Sequence, residues 1–327
     1  KNKFISGKAL KDKIMGNNTE SFFKYFEKYN EQQLKLENIA TYRKSKAILD
    51  KLRAYLKGKD LLFSDITVTF LKGFELHMRT VLKNKTNTVH SNLKVIRKLF
   101  NDAINEELIE KDLYPFNRFK LVWEKPHKEQ LLEEDINKII NLNLMRGSKL
   151  DDHRNMFIFC CYTGGLRISD LLRLKWRDFD GKNTNVVMQK TNEMVSIKVP
   201  TIGLEILNVY GLQNYTERYD EYIFPFLETN KVYSKQEMFN AISSNTAFAN
   251  KNLKALAKQA GLNQQNLSNH FGRRSFTCMA LSKGMSLEHA SKLLGHGGLA
   301  VTLESYARFA QEDLNKSMDV FEDSPTK

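Results

Sequence analysis

Thr163-Gly164-Gly165-Leu166-Arg167-Ile168-Ser169-Asp170 is the stretch on which the fold of this 327-residue chain turns. It follows an apolar helical run from Asn155 to Tyr162 and precedes another from Ile168 to Leu174. The glycine turn between them delivers Arg167 to a helix start, with Asp170 one turn later. An arginine so placed offers a planar fork of donors matched to phosphate oxygens. Downstream the texture changes. Phe179-Asp180-Gly181-Lys182 reads as a turn, Asn185 to Gln189 as a short strand, Lys190 to Glu193 as a second turn and Met194 to Val199 as an alternating strand. Helical spacing then returns near Gly203 to Gly211, Tyr233 to Gly261, Arg274 to Ser282, Ser286 to Leu294 and Val301 to Ala310. Upstream, Leu132 to Leu144 reads as a helix with an acidic first turn, which suits the helix dipole, and Asp151-Asp152-His153 reads as a solvated loop.

The first third is helical and basic. Apolar residues recur at helical spacing from Phe22 to Leu34, Ala40 to Leu56, Val68 to Leu82 and Val89 to Ile109, with Gly58 closing the second run and Ser64-Asp65 placed to cap the third. Residues 1–120 hold 25 Lys+Arg against 14 Asp+Glu, so +11 of the chain's formal +13 lies there. A polyanion is the natural partner of such a field, because each phosphate neutralised releases condensed counterions. Arg43, Lys44 and Lys46 on the second helix, and Lys94, Arg97 and Lys98 on the fourth, are the candidate DNA contacts.

Other classes fit less well. Three cysteines, two of them adjacent inside an apolar run, do not make a disulfide framework and read as buried thiols. Neither a Cys-x-x-Cys nor a His-Glu-x-x-His pattern occurs, so no metal site and no cofactor are expected. No apolar run has the length of a bilayer span. Lys1 to Lys13 is basic and polar without an apolar stretch, so no secretory signal is read and a cytoplasmic location is expected.

Two further blocks carry groups suited to a phosphodiester: His270-Phe271-Gly272-Arg273, its polar residues one helical turn apart, and Leu294-Gly295-His296, followed ten positions later by Tyr306. In this order the chain resembles the tyrosine recombinase, or phage integrase, family: an arginine after a Thr-Gly turn, a lysine in a strand-turn-strand, His-x-x-Arg, Leu-Gly-His and a tyrosine. The resemblance spans residues 20–312. It implies that Tyr306 is the nucleophile, that Arg167 and Arg273 clamp the scissile phosphate, that His270 and His296 hydrogen-bond it, that Lys190 protonates the leaving oxygen and that Asp170 braces the site. Arg274 directly follows Arg273, and spacing from His270 favours Arg273; Lys182 and Lys198 flank the same hairpin as Lys190. Gly164-Gly165 stands where the commonest family form has a single glycine, and Gly272 where a larger apolar residue is usual.

The expected fold is mainly α with a small antiparallel β-sheet: a helical SAM-like core-binding domain over 20–115, a linker over 116–128, a tyrosine-recombinase catalytic domain over 129–312 and an acidic tail over 313–327. Residues 1–19 read as a linker or the remnant of an arm-binding region, since the sequence opens on Lys1-Asn2-Lys3 without a methionine. The resemblance implies a recombinase or integrase acting on double-stranded DNA attachment sites as a homotetramer in the synaptic complex, without a membrane. Rival readings are a type IB topoisomerase, against which the four-helix basic domain argues, and a catalytically silent DNA-binding accessory protein, against which the full catalytic set argues.

Overall fold

A computed structural model of the chain describes residues 20–125, 129–264, 266–295 and 298, which fall into two units divided after residue 126. The predicted helix Val301 to Ala310, the acidic tail and residues 1–19 lie outside the described residues.

The first unit holds α1 (Phe22–Lys35), α2 (Ile39–Tyr55), α3 (Val68–Thr80) and α4 (Thr86–Asn105). Its core is aromatic: Phe22, Phe26, Phe63, Phe74 and Phe100 are all fully buried, and Phe22 meets Phe63 edge to face at 5.1 Å. Burying a phenylalanine side chain is worth about 1.5–3 kcal/mol, so these rings dominate the unit's cohesion. The Ser21 hydroxyl caps α1 by accepting from the Lys24 N–H at 3.3 Å. The expectation that Ser64-Asp65 cap the third helix is corrected: both lie in a 3-10 turn, and Thr67 caps α3 by accepting from the Phe70 N–H at 3.2 Å. Thr67 takes the role because a cap must sit immediately before the first helical residue. From the stretch read as linker, Phe116 and Phe119 pack into this same core.

The second unit contains α5 (Glu133–Ile140), α6 (Lys149–Tyr162), α7 (Ile168–Leu171), β1 (Asn183–Val187), β2 (Met194–Lys198), α8 (Thr201–Val209), α9 (Lys235–Gln259), α10 (Asn269–Ser282) and α11 (Leu287–Leu293). α6 is its axis, packed by α5, α8, α9 and α10. A helix covered from so many sides must be buried around most of its circumference, and Met156 to Cys161 are all buried. The same enclosure corrects the reading of Asp151-Asp152-His153 as a solvated loop. These residues form the buried first turns of α6, capped by the Ser148 hydroxyl. Most of their polar atoms have partners: the Tyr210 hydroxyl donates to Asp152 at 3.1 Å, the Asp151 carboxylate pairs with Arg154, and His153 Nδ1 lies 2.9 Å from the Asn252 amide. The His153 ring stacks on Phe226 at 4.5 Å, and its Nε2 is buried without a hydrogen-bond partner among the described residues.

α5 ends at Ile140 rather than Leu144, and α10 begins at Asn269 rather than Arg274. β1 and β2 form the single two-stranded antiparallel sheet among the described residues, in register from Asn183 opposite Lys198 to Val187 opposite Met194. The first strand is displaced two residues toward the N-terminus from its predicted span. The reason is the connection: the Met188 N–H donates to the Glu193 carbonyl at 2.9 Å and the Asn192 N–H to the Met188 carbonyl at 2.8 Å, which draws Met188 and Gln189 into the turn. Asn192 adopts the left-handed backbone that closes it, a conformation asparagine tolerates better than most residues.

Candidate active site

α6 ends because Gly164 and Gly165 both take positive φ, 65° and 61°, which side-chain-bearing residues rarely adopt. Space demands glycine as well. A Cβ on Gly164 would stand 2.6 Å from Ile197 Cδ1, and one on Gly165 would stand 3.2 Å from the Cα of Arg273. The double-glycine turn lets α10 and the β-hairpin close on the end of α6. The chain then turns into α7 with Arg167 at its N-cap and half-buried, one guanidinium nitrogen 3.8 Å from the Met188 sulfur.

α10 brings in His270 and Arg273 from one face, one turn apart. It lies close on α6: a Cβ on Gly272 would meet Cys160 Sγ at 3.1 Å and Phe157 at 3.2 Å, so the larger residue usual there has no room against this α6. Arg273 is only 9% exposed. Its guanidinium donates to the Gly165 carbonyl at 2.8 Å and to the Leu294 carbonyl, and so ties the glycine turn to the Leu294-Gly295 segment. Burial, and after it the Arg167 charge, draw its pKa down to about 10, so it remains a cation at neutral pH. Arg274 points its guanidinium elsewhere, to the Glu129 carbonyl at 2.9 Å.

Asp170 sits at the centre of these cations and is 2% exposed. One carboxylate oxygen accepts from the Gln189 N–H at 3.2 Å; the other has no hydrogen-bond partner among the described residues. Burial raises its pKa, while the Gln189 N–H and then the charges of Arg167, Arg273 and Arg173 oppose that rise. His270 is pushed the other way: burial, then the charges of Arg274, Arg273, Arg167 and Lys190, hold its pKa below the ordinary value, so the ring is neutral at pH 7. A neutral imidazole among cations keeps one nitrogen able to donate and the other able to accept.

Lys190 is exposed in the hairpin turn, next to Gln189. The strand register separates it from the two other lysines of the hairpin. Lys198 pairs with Asn183 at the far end and Lys182 precedes that pair, four strand residues or roughly 13 Å from the turn.

The structure therefore brings Arg167, Asp170, His270, Arg273 and Lys190 into one electrostatic neighbourhood. His296 and Tyr306 lie outside the described residues, although Gly295, directly before His296, packs on this cluster: a Cβ there would stand 3.1 Å from Met188. In the first unit, Arg43, Lys44 and Lys46 lie on the exposed side of α2, and Lys94, Arg97 and Lys98 on α4. Lys46 pairs with Asp50 at 3.1 Å; Lys98 pairs with Asp102 and stands over the Tyr29 ring at 4.6 Å. Three residues of the cluster escaped the sequence reading: Met188, buried between Arg167 and Gly295; Arg173, facing Asp170; and Gln189, which accepts from Arg173. Only Arg173 left a trace, as a second arginine nearly two helical turns after Arg167.

Among the described residues, no group of three or more His, Cys, Asp or Glu could hold a metal ion, and no helix is long and apolar enough to cross a membrane. All three cysteines are free and buried.

Residues 21–136 match the family model of the phage integrase SAM-like domain, and residues 129–313 match that of the phage integrase family. The tyrosine recombinase XerD of Rickettsia prowazekii (strain Madrid E) is 25% identical over 313 residues, covering 88% of this chain and 92% of the relative. Among solved structures, the Tn1549 transposon integrase in complex with transposon right end DNA superposes with a TM-score of 0.65 at 15% identity, covering 92% of this chain and 99% of that one. A lambda integrase tetramer bound to a Holliday junction gives a TM-score of 0.60 at 17% identity, covering 90% and 80%.

Proposed function

The chain belongs to the phage integrase family, whose members are DNA strand-breaking and rejoining enzymes, and from that membership we propose a specific chemistry: site-specific recombination through a covalent 3′-phosphotyrosine at Tyr306. The observation that carries this reading is the convergence on Asp170 of Arg167 from the glycine turn, Arg273 from α10 and the Lys190 turn from the hairpin.

The Tyr306 hydroxyl gives up its proton to solvent water and its oxygen attacks the scissile phosphorus, forming an O–P bond as the bond to the 5′-oxygen breaks. Lys190 gives that oxygen its proton. Arg167 and Arg273 stabilise charge on the non-bridging oxygens, and His270 and His296 hydrogen-bond the same group. Removing one such preorganised donor typically costs about two to three orders of magnitude in rate. The phosphotyrosine conserves the bond energy, so a 5′-hydroxyl from a second strand attacks it and rejoins the DNA without ATP. Arg273 illustrates the preorganisation: its two carbonyl contacts hold the guanidinium in place before DNA arrives.

The partner in this reading is double-stranded DNA carrying an attachment site of a mobile element, bound by four copies of the chain in the cytoplasm. Two structural neighbours support the assembly: an integrase on transposon end DNA and an integrase tetramer on a Holliday junction. The test is a denaturing-gel assay for covalent adduct on a nicked duplex bearing the element's own end sequence. The wild-type chain is expected to retain the 3′ end and leave a free 5′-hydroxyl. Tyr306→Phe, which loses only the hydroxyl, binds the site and forms no adduct. An adduct that persists in Tyr306→Phe, or that mass spectrometry places on another residue, overturns the assignment.

A further inference from the structure

Gln189 is held twice. Its N–H donates to Asp170 at 3.2 Å, and its side-chain carbonyl accepts from an Arg173 guanidinium nitrogen. Arg173 stands just beyond α7, on the stretch that carries Asp170, so both tethers run from one short segment to one residue of the hairpin turn. On its other side the turn is anchored by Met188, fully buried against Arg167 and Gly295. The next residue is Lys190. Thr191 and Asn192 then complete the turn on the Met188 carbonyl.

We infer that Arg173 and Gln189 are a positioning pair for the leaving-group proton: their side-chain bond, beside the Asp170 contact, fixes the turn so that the Lys190 ammonium reaches the departing 5′-oxygen. This rests on the assignment of Lys190 as general acid. The physical case is one of leverage. A lysine side chain has four rotatable bonds, and a turn anchored at Met188 but tied to Asp170 by a single backbone contact can still shift at its exposed end, where Gln189 and Lys190 lie. A second tether from Arg173 removes that freedom, which matters because proton donation requires approach to hydrogen-bond distance. Arg173 suits the task because the nearby Asp170 carboxylate favours its charge and its planar fork bonds directionally. Arg173 touches neither the nucleophile nor the phosphate in this scheme; it acts through Gln189.

The test compares cleavage of two nicked duplexes bearing the element's end sequence, one with the normal 5′-oxygen and one with sulfur at that bridging position. In the second, attack by Tyr306 breaks a P–S bond and releases a thiolate, which leaves without a proton. General acid catalysis is worth about two to four orders of magnitude, and a displaced acid forfeits part of it. Gln189→Ala, at an exposed position that leaves the fold intact, and Arg173→Ala are each expected to slow oxygen-substrate cleavage roughly 10- to 100-fold and to cleave the sulfur substrate within about 3-fold of wild type. The double variant is expected to be no slower than the worse single one, because both remove the same bond. Lys190→Ala shows the same pattern more strongly, whereas Arg167→Ala is impaired on both substrates. Wild-type rates for Gln189→Ala on oxygen, or equal losses on both substrates, overturn the pairing while leaving Lys190 in place. If Lys190→Ala itself is not rescued by sulfur, the general-acid assignment falls and the positioning role falls with it.

Discussion

Arg273 donates a 2.8 Å hydrogen bond to the carbonyl of Gly165, 108 residues away in sequence, and its second arm reaches the carbonyl of Leu294. One buried guanidinium thus joins three segments that meet only in the folded chain. Lysine keeps the charge but cannot span two carbonyls. Arg273→Lys is therefore expected to lose at least about 100-fold in cleavage rate. Its stability should fall by about 1–3 kcal/mol, as a buried carbonyl loses its donor. Adduct formation and urea unfolding measure the two effects, and site binding should change by no more than a few-fold, since many other phosphates carry affinity.

Gly165→Ala tests the closeness of that junction. The new methyl would stand 3.1 Å from Leu294 and 3.2 Å from both the Arg273 Cα and Phe276, at a φ of +61°. A left-handed non-glycine residue costs about 1–3 kcal/mol before any clash. The variant is expected to unfold several degrees earlier and to form little adduct, because displacement of Arg273 disturbs the phosphate clamp. Unchanged melting and cleavage would mean that α10 does not need this contact.

Stability should depend on pH through His153. Burial lowers its pKa from 6.5 to about 4, so the folded chain keeps the ring neutral while the unfolded chain binds a proton below about 6.5. The unfolded state then holds more protons, and stability declines as pH falls from 6.5 toward 4, by roughly 2–3 kcal/mol across the window. His153→Leu, which keeps an apolar side chain against Phe226, should lose this part of the pH dependence. Denaturant titrations at pH 7, 5.5 and 4.5 provide the comparison; parallel profiles for the two proteins would refute it.

The charge asymmetry predicts where affinity resides. With +11 in residues 1–120, DNA binding should weaken steeply with salt, and removing this region should abolish most affinity at moderate ionic strength. Fluorescence anisotropy over a salt series, on the whole chain and on residues 121–327, measures both slopes. Equal affinity of the two would place the DNA-binding field in the second unit.

Much of the fold was legible because it follows local rules. Four apolar-periodic runs became α1 to α4, and two alternating stretches around a turn became the hairpin, since periodicity reports which face must leave water. Asp151-Asp152-His153 misled because charge in a first helical turn resembles a solvated loop. Burial there is imposed by α9, whose Asn252 amide lies 2.9 Å from the His153 ring, and by Phe226, both far along the chain. Strand and helix ends also moved, because a turn's hydrogen bonds and a helix cap are settled residue by residue.

The sequence by itself determined the inventory: an arginine after a glycine turn, a hairpin lysine, a His-x-x-Arg helix and a basic helical first third, each fixed by composition and short-range spacing. Only tertiary structure decided how the described members meet. Arg273 rather than Arg274 turns inward because its position on α10 faces the Gly165 turn. The turn that carries Lys190, rather than the end that carries Lys182 and Lys198, meets Asp170 through the Gln189 N–H, because strand register sets which end of the hairpin approaches it. Arg173 and Gln189 joined the cluster unannounced, since a hydrogen bond between a helix end and a strand turn leaves no periodic mark on the chain that makes it.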